Sequence, residues 1–205
     1  WDSYPDNLVG VVFKAEQASF LVGYIAGQMT ESGTVGFVGG IEGAVIDGFD
    51  YGYHAGVKYA NQDVEVLRQY AESFNDAAKG KSIATNMYRQ GADIVFHAAG
   101  GVGDGVIEAA KEQDQWAIGV DRDQNDLAPE HVLTSAMKRV GQAMYNVGEQ
   151  LVNENWDGGR TIVYGLAEDG VGIAPTSDED VPQDILDEVA EIRQMIIDGE
   201  IEVPF

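Results

Sequence analysis

The sequence contains no cysteine, which excludes disulfide bonds, thiolate nucleophiles and cysteine-based metal sites. Its three histidines, His54, His97 and His131, lie far apart in the chain and lack the spacing of a metal-binding motif. No apolar run approaches the roughly 20 residues that a membrane-spanning helix needs. No signal peptide or lipid-attachment site is visible, and the chain opens at Trp1 without a methionine. We therefore expect that an N-terminal part of the protein is missing.

Basic residues are scarce as well. Twelve Lys and Arg stand against 35 Asp and Glu in 205 residues, so the net charge is −23. Nucleic-acid binding requires clustered cations on the protein, and attraction to an anionic membrane surface requires the same. The composition argues against both. The acidic residues are spread along the chain and favour a solvated surface suited to high salt, where screening relieves their mutual repulsion.

Glycine is abundant, with 26 residues, and suits tight connections between strands and helices. Apolar runs alternate with segments of helical periodicity, which predicts an α/β fold with a doubly wound parallel sheet. The segment around 170–180 is irregular and is predicted to be a surface loop. The predicted strands are 8–13, 34–38, 64–70, 94–96, 116–120, 132–135 and 161–165. The predicted helices are 16–29, 49–61, 77–90, 106–113, 136–153 and 181–198.

The segment 91–105 is the most informative part of the chain. Its short apolar run, 94–96, predicts a buried strand, and glycines follow at 100, 101, 103 and 105 before the next helix. Such a turn lets the backbone approach a ligand closely, at the carboxyl edge of the sheet where α/β proteins bind small molecules. The glycine spacing lacks the full dinucleotide-binding fingerprint and falls on a late strand.

Four residues at predicted strand ends suit an uncharged polar ligand. Phe74 follows the third strand and could stack on a planar base, or could instead pack against the next helix. Gly100 offers a backbone N–H, and the Asp121 carboxylate could accept hydrogen bonds from vicinal hydroxyls or could cap the following turn. Lys138 is predicted to lie near the start of a helix, where its charge opposes the helix dipole unless it has another partner.

Catalytic motifs are weak by comparison. Ser73 and Ser135 lack the surroundings of a nucleophile elbow, and no phosphate-binding loop is present. His97 lies near the glycine turn, where it could contact a ligand or could be a structural histidine satisfied by the backbone. Asp121 with Asp123 is the one carboxylate pair that a hydrolytic mechanism could use. The sequence therefore predicts a binding protein without a cofactor rather than an enzyme.

Several segments together resemble one known family. They are LVGVVFKAEQASFLVGYIAG, TVGFVGG, GFDYGYHAGVKYAN, GADIVFHAAGGVGDGVIEAAKE, WAIGVDRDQNDLAP, VLTSAMKRV and GVGIAP. Through nearly the whole chain they are similar to the basic membrane protein family. These are substrate-binding lipoproteins of ABC transporters that bind purine nucleosides and have a type I periplasmic-binding-protein fold.

The resemblance assigns roles to the candidate residues. It implies that Phe74 is one of two rings that sandwich the base, and that Gly100 contacts the ligand through its backbone. Asp121 would hold the ribose hydroxyls with Lys138 beside it. Asp2 matches an acidic residue of the family and would be a further ligand contact. The family's lipobox and its first ligand-binding segment have no counterpart here, so the N-terminal lobe is expected to be incomplete.

The resemblance also implies two Rossmann-like lobes with the ligand between them. We expect 1–33 to belong to the N-terminal lobe, 34–125 to form the C-terminal lobe, and 126–205 to supply hinge crossings and elements shared by both. The protein would be an extracytoplasmic, membrane-anchored lipoprotein, with the anchor outside this chain, that delivers its ligand to a permease. Three alternatives remain open: a sugar or autoinducer binder of the same fold, a Rossmann-type nucleoside hydrolase or dehydrogenase, and a ligand-free structural or sensor domain that retains the fold.

Overall fold

The computed structural model describes residues 5–205, in which strands and helices alternate along most of the chain. The strands are β1 Val9–Phe13, β2 Thr34–Gly39, β3 Glu65–Tyr70, β4 Ile94–Ala98, β5 Trp116–Asp121, β6 Val132–Lys138, β7 Arg160–Tyr164 and β8 Val171–Ile173. The helices are α1 Ala15–Met29, α2 Ala44–Ala60, α3 Ala77–Arg89, α4 Val102–Gln113, α5 Val140–Val152, α6 Ser177–Asp180 and α7 Gln183–Ile197. Across 5–205, no helix combines the length and the apolar character needed to cross a membrane.

Six strands form the larger sheet, in the order β3-β2-β4-β5-β6-β8. All neighbouring strands in it are parallel except β8, which runs antiparallel to β6. Gly39 at the end of β2 is level with Tyr70 of β3 and with Ala98 of β4, so these strands end at one edge. This arrangement confirms the predicted α/β fold with parallel sheets and gathers the residues that follow each strand along the same edge.

Within residues 5–205 the smaller sheet consists of β1 and β7, paired in parallel from Val9 with Arg160 to Phe13 with Tyr164. This lobe is incomplete in the chain. The helix that leads into it, α5, buries only two side chains, those of Ala143 and Val147. Apolar side chains of α5 lie exposed, namely Val140, Met144, Tyr145, Leu151 and Val152.

The chain passes between the two sheets at three places, and the first two are hydrogen-bonded to the third or to the residue just before it. The first is Lys14, between β1 and α1, and its N–H donates to the carbonyl of Tyr164 at 2.9 Å. The second is at Arg139, between β6 and α5, and the third is the segment 165–170, between β7 and β8. Arg139, which follows β6, donates its N–H to the carbonyl of Gly170 at 2.8 Å. All three connections are therefore joined side by side.

Helix α1 packs with the larger sheet, although the sequence assigned it to the incomplete lobe. It lies against α2 and over β6 and β8. Four glycines line its contact with α2, and a Cβ at Gly23 or Gly52 would overlap a carbonyl oxygen of the opposite helix. The two backbones therefore touch directly. The lobe boundaries at 33 and 125 stay predictions, but α1 itself belongs with the larger sheet.

Two predictions about the end of β6 and its neighbour are wrong. The strand does not stop at Ser135; it continues to Lys138, and α5 begins only at Val140. The segment around 170–180, predicted to be a surface loop, contains β8 and α6 and buries residues such as Val171 and Ser177. The reason is that β6 has hydrogen-bonded partners on both sides, β5 and β8, so its last residues remain extended.

Candidate functional site

The structure places the four described candidate residues at the carboxyl edge of the larger sheet. Phe74 follows β3, Gly100 follows β4, Asp121 is the last residue of β5, and Lys138 is the last residue of β6. The fifth candidate, Asp2, lies outside the described residues. Because the ends of neighbouring parallel strands meet at one edge, the expectation that these residues share an edge is met for the four.

Phe74 and Gly100 are joined through the backbone. The N–H of Gly101 donates to the carbonyl of Phe74 at 2.9 Å, which holds the segment after β3 against the turn after β4. Gly100 has a φ of +57°, a left-handed conformation that disfavours residues with a Cβ. The Phe74 side chain rests on Gly40, and the residue as a whole is 39% exposed, so part of its surface faces solvent at the edge. This pairing leaves an aromatic surface and a close backbone approach next to each other.

Only part of the glycine-rich segment serves this turn. The helix α4 begins at Val102, four residues earlier than predicted, so Gly103 and Gly105 lie inside it. A Cβ at Gly103 would overlap the His97 ring, and one at Gly105 would overlap the carbonyl oxygen of Ala77. These two glycines therefore allow α4 to pack against β4 and α3, and the prediction that they approach a ligand is wrong.

Asp121 and Lys138 form an ion pair across the ends of β5 and β6. The Lys138 Nζ lies 2.9 Å from Asp121 Oδ1, and the carboxylate side chain remains 54% exposed. Asp121 has a φ of +66°, which costs about 1 kcal/mol for a residue with a Cβ and recurs at functional sites. Because Lys138 ends a strand, the predicted conflict with a helix dipole does not arise. Lys138 lies beside the Asp121 carboxylate, as the family resemblance implied.

Phe49 supports this ion pair and was missed in the sequence. Its ring centroid lies 5.9 Å from Lys138 Nζ, close enough for a cation–π interaction. The helix α2 starts at Ala44 rather than at residue 49, so Phe49 is in its second turn and reaches the carboxyl edge. Gly43, which directly precedes α2, was the signal in the sequence that could have indicated the earlier start of this helix. Phe49 itself is buried, so it orients Lys138 and does not face solvent.

The turn after Asp121 is fixed by its own side chains. Gln124 Oε1 accepts from the N–H of Val120 at 2.7 Å, and the N–H of Gln124 donates to Ser135 Oγ at 3.1 Å. Asp123 accepts from Thr176 Oγ1 with both carboxylate oxygens at 2.9 Å. Asp123 is therefore engaged in holding this turn to the segment before α6. Among residues 5–205, no three His, Asp or Glu side chains cluster in a way that could hold a metal ion.

His97 lies in β4 behind the edge and is fully buried. Neither ring nitrogen has a hydrogen-bond partner among the described residues, so the expected backbone partner is absent there. Burial lowers the pKa of His97 to about 4, although the Asp121 carboxylate and the Gln124 side chain act in the opposite direction. The imidazole is therefore neutral near pH 7. His97 lies behind the edge and has no surface exposed there.

Known proteins share this architecture. The family described as ABC transporter substrate-binding protein PnrA-like (Bmp) matches residues 2–205. Basic membrane protein D of Borreliella burgdorferi is 44% identical over 205 residues, covering 98% of this chain and 60% of that protein. The chain thus spans about 60% of the length of that curated relative.

Solved structures agree with this assignment. An ABC transporter solute-binding protein from Aeropyrum pernix superposes with a TM-score of 0.86 at 27% identity, covering 97% of this chain and 67% of that one. One from Conexibacter woesei has a TM-score of 0.81 at 26% identity, covering 98% and 66%. This chain belongs to the basic membrane protein (Bmp) family of PnrA-like ABC transporter substrate-binding proteins.

Proposed function

We propose that this chain is part of an extracytoplasmic binding protein that captures a purine nucleoside at the carboxyl edge of the larger sheet and delivers it to the permease of an ABC importer. One observation carries the proposal. The exposed Asp121 carboxylate, held by Lys138, lies on the same strand-end edge as the partly exposed Phe74 ring. A nucleoside has vicinal hydroxyls at one end and a flat base at the other, and these groups complement that pair of features.

Each residue has a distinct part in this binding. The Phe74 ring stacks on the base, which is worth about 1–3 kcal/mol for an aromatic side chain. Gly100 lets the backbone come close to the ligand. Asp121 accepts hydrogen bonds from both ribose hydroxyls, and Lys138 keeps the carboxylate oriented. Closure of the second lobe over the ligand would then exclude water and form the state that the permease recognises. A lipid anchor outside this chain would keep the protein at the membrane.

Replacing Asp121 by asparagine is expected to weaken ribonucleoside binding by about tenfold or more, because hydrogen bonds to a charged acceptor contribute about 1.5–3 kcal/mol. The substitution should also remove the preference for a ribonucleoside over its 2′-deoxy form. Ligand-observed NMR titrations with adenosine, guanosine, inosine, 2′-deoxyadenosine and free ribose measure both effects. Asp126→Asn is the matched control, since Asp126 pairs with Arg122 in the next turn.

Other outcomes of these titrations identify the rival functions. Tight binding of free ribose without any response to nucleosides would instead identify a sugar-binding protein. Release of the free base from inosine, abolished in Asp121→Asn, would identify a hydrolase. If none of these ligands bound, the ligand-free sensor alternative would replace the proposal.

A further inference from the structure

Gly40 lies at the carboxyl edge of the larger sheet, directly after β2, whose neighbours are β3 and β4. Its N–H donates to the carbonyl of Ala98 at 3.0 Å, and the preceding carbonyl, that of Gly39, accepts from the N–H of Ala71 at 2.8 Å. The backbone here is therefore tied to the strand ends on both sides. Gly40 is also buried, so the edge cannot move away locally without breaking these hydrogen bonds.

The ring of Phe74 occupies the space that a side chain at residue 40 would need. A Cβ on Gly40 would overlap Cδ1 and Cε1 of Phe74 and would lie 3.1 Å from Cζ. The ring cannot recede with its own backbone, because the N–H of Gly101 holds the Phe74 carbonyl at 2.9 Å. Phe74 thus rests on bare backbone, and its depth at the edge is fixed by the missing side chain of residue 40.

We propose that Gly40 is a specificity-determining residue that sets the depth of the Phe74 ring and with it the width of the space for the base. This inference rests on the proposed nucleoside binding. Carbon atoms in contact keep about 3.5–4.0 Å apart, so a methyl group at residue 40 would displace the ring by more than about 1 Å or turn it into another rotamer. Either change removes the stacking surface from its position, while the ribose contacts of Asp121 remain.

A double-mutant cycle on Gly40 and Phe74 tests this inference. Gly40→Ala is expected to weaken binding of purine nucleosides by about fivefold or more, the lower end of what loss of base stacking produces. Phe74→Ala should have an effect of similar size. In the Phe74→Ala background the added methyl group meets no ring, so the double variant is expected to bind like Phe74→Ala alone.

Two controls separate this role from a general loss of structure. Gly43→Ala lies three residues further on, and no atom lies within 4 Å of its added Cβ, so wild-type affinity is expected. If Gly40→Ala merely disturbed the fold, its lowered melting temperature would persist in the Phe74→Ala background; we expect the melting temperature to recover there. Circular dichroism measures this recovery in the same samples.

The outcomes distinguish this inference from the function it rests on. Failure of the wild-type chain to bind any nucleoside would refute the proposed function. If instead the wild type binds and Phe74→Ala weakens binding, two results overturn the role of Gly40. One is wild-type affinity in Gly40→Ala, and the other is an undiminished further loss when Gly40→Ala is added to Phe74→Ala.

Discussion

Replacing Gly56 by alanine is expected to lower the free energy of unfolding by about 3 kcal/mol, since it inserts a methyl group into a contact between two backbones. The new Cβ would overlap the carbonyl oxygen of Phe20 and lie 2.9 Å from the backbone nitrogen of Tyr24. Both atoms belong to α1 and cannot yield without displacing that helix from α2. Alanine favours a helix over glycine by about 1 kcal/mol, which is too little to offset the overlap.

The chain offers a matched control for this substitution. Gly148 lies inside α5, and a Cβ added there would meet no atom within 4 Å. Gly148→Ala should therefore leave stability unchanged or raise it by up to about 1 kcal/mol. Urea unfolding followed by circular dichroism compares the variants. A Gly56→Ala chain as stable as Gly148→Ala would show that the two helices are not in backbone contact.

Lowering the pH from 7 to 5 is expected to reduce the free energy of unfolding by about 2 kcal/mol through His97 alone. The pKa of His97 is about 4 in the folded chain, and its ordinary value is 6.5. Below pH 6.5 the His97 imidazole is therefore protonated in the unfolded chain, whereas in the folded chain it stays neutral until about pH 4. Stability from this group is complete above pH 6.5 and declines as the pH falls, by about 1.4 kcal/mol for each unit.

Removal of the imidazole should abolish this decline. Leucine has a similar volume to histidine and does not titrate. The free energy of unfolding of His97→Leu should therefore lack the loss of about 2 kcal/mol between pH 7 and pH 5 that His97 causes in the wild type. Glu16 and Asp180 have pKa values raised by burial and add an opposite dependence, which is common to both chains and cancels in the difference. His131→Gln controls for the loss of an imidazole elsewhere. An equal pH dependence in His97→Leu and the wild type would contradict the buried neutral state.

Local signals in the sequence were sufficient for most of the larger sheet. The apolar runs that became β2, β4 and β5 are buried over most of their lengths, and continuous apolar runs predict such strands well. The end of β6 was assigned to a helix because Ala136, Met137 and Lys138 are good helix formers. Hydrogen bonding to β5 and β8 on either side overrides that preference. Since β8 has only three residues, it carries no period that could have revealed it.

The candidate site divides in the same way. Phe74, Gly100 and Asp121 could be named in advance because each follows or ends a predicted strand, and the topology of a parallel sheet brings such residues to one edge. Lys138 was named as well, although its position was predicted to be helical and is the end of β6 in the structure. Gly40 could not, since its importance comes from a ring more than thirty residues away in the chain. Contacts of this kind depend on how deeply each side chain sits in the folded protein. The spacing of residues in the sequence does not predict that depth.

The three side-by-side connections between the sheets have a mechanical consequence. A body attached by a single strand can swivel, tilt and slide, whereas one attached by three adjacent strands keeps a single easy rotation about the line through them. Lys14 is hydrogen-bonded to Tyr164, just before the third connection, and Arg139 is hydrogen-bonded to Gly170 at its end, so the three connections are coupled. The smaller sheet is therefore expected to move by rotation about the line through them. Substitutions at any of the three connections are then expected to affect that same rotation, however far they lie from Asp121 and Phe74.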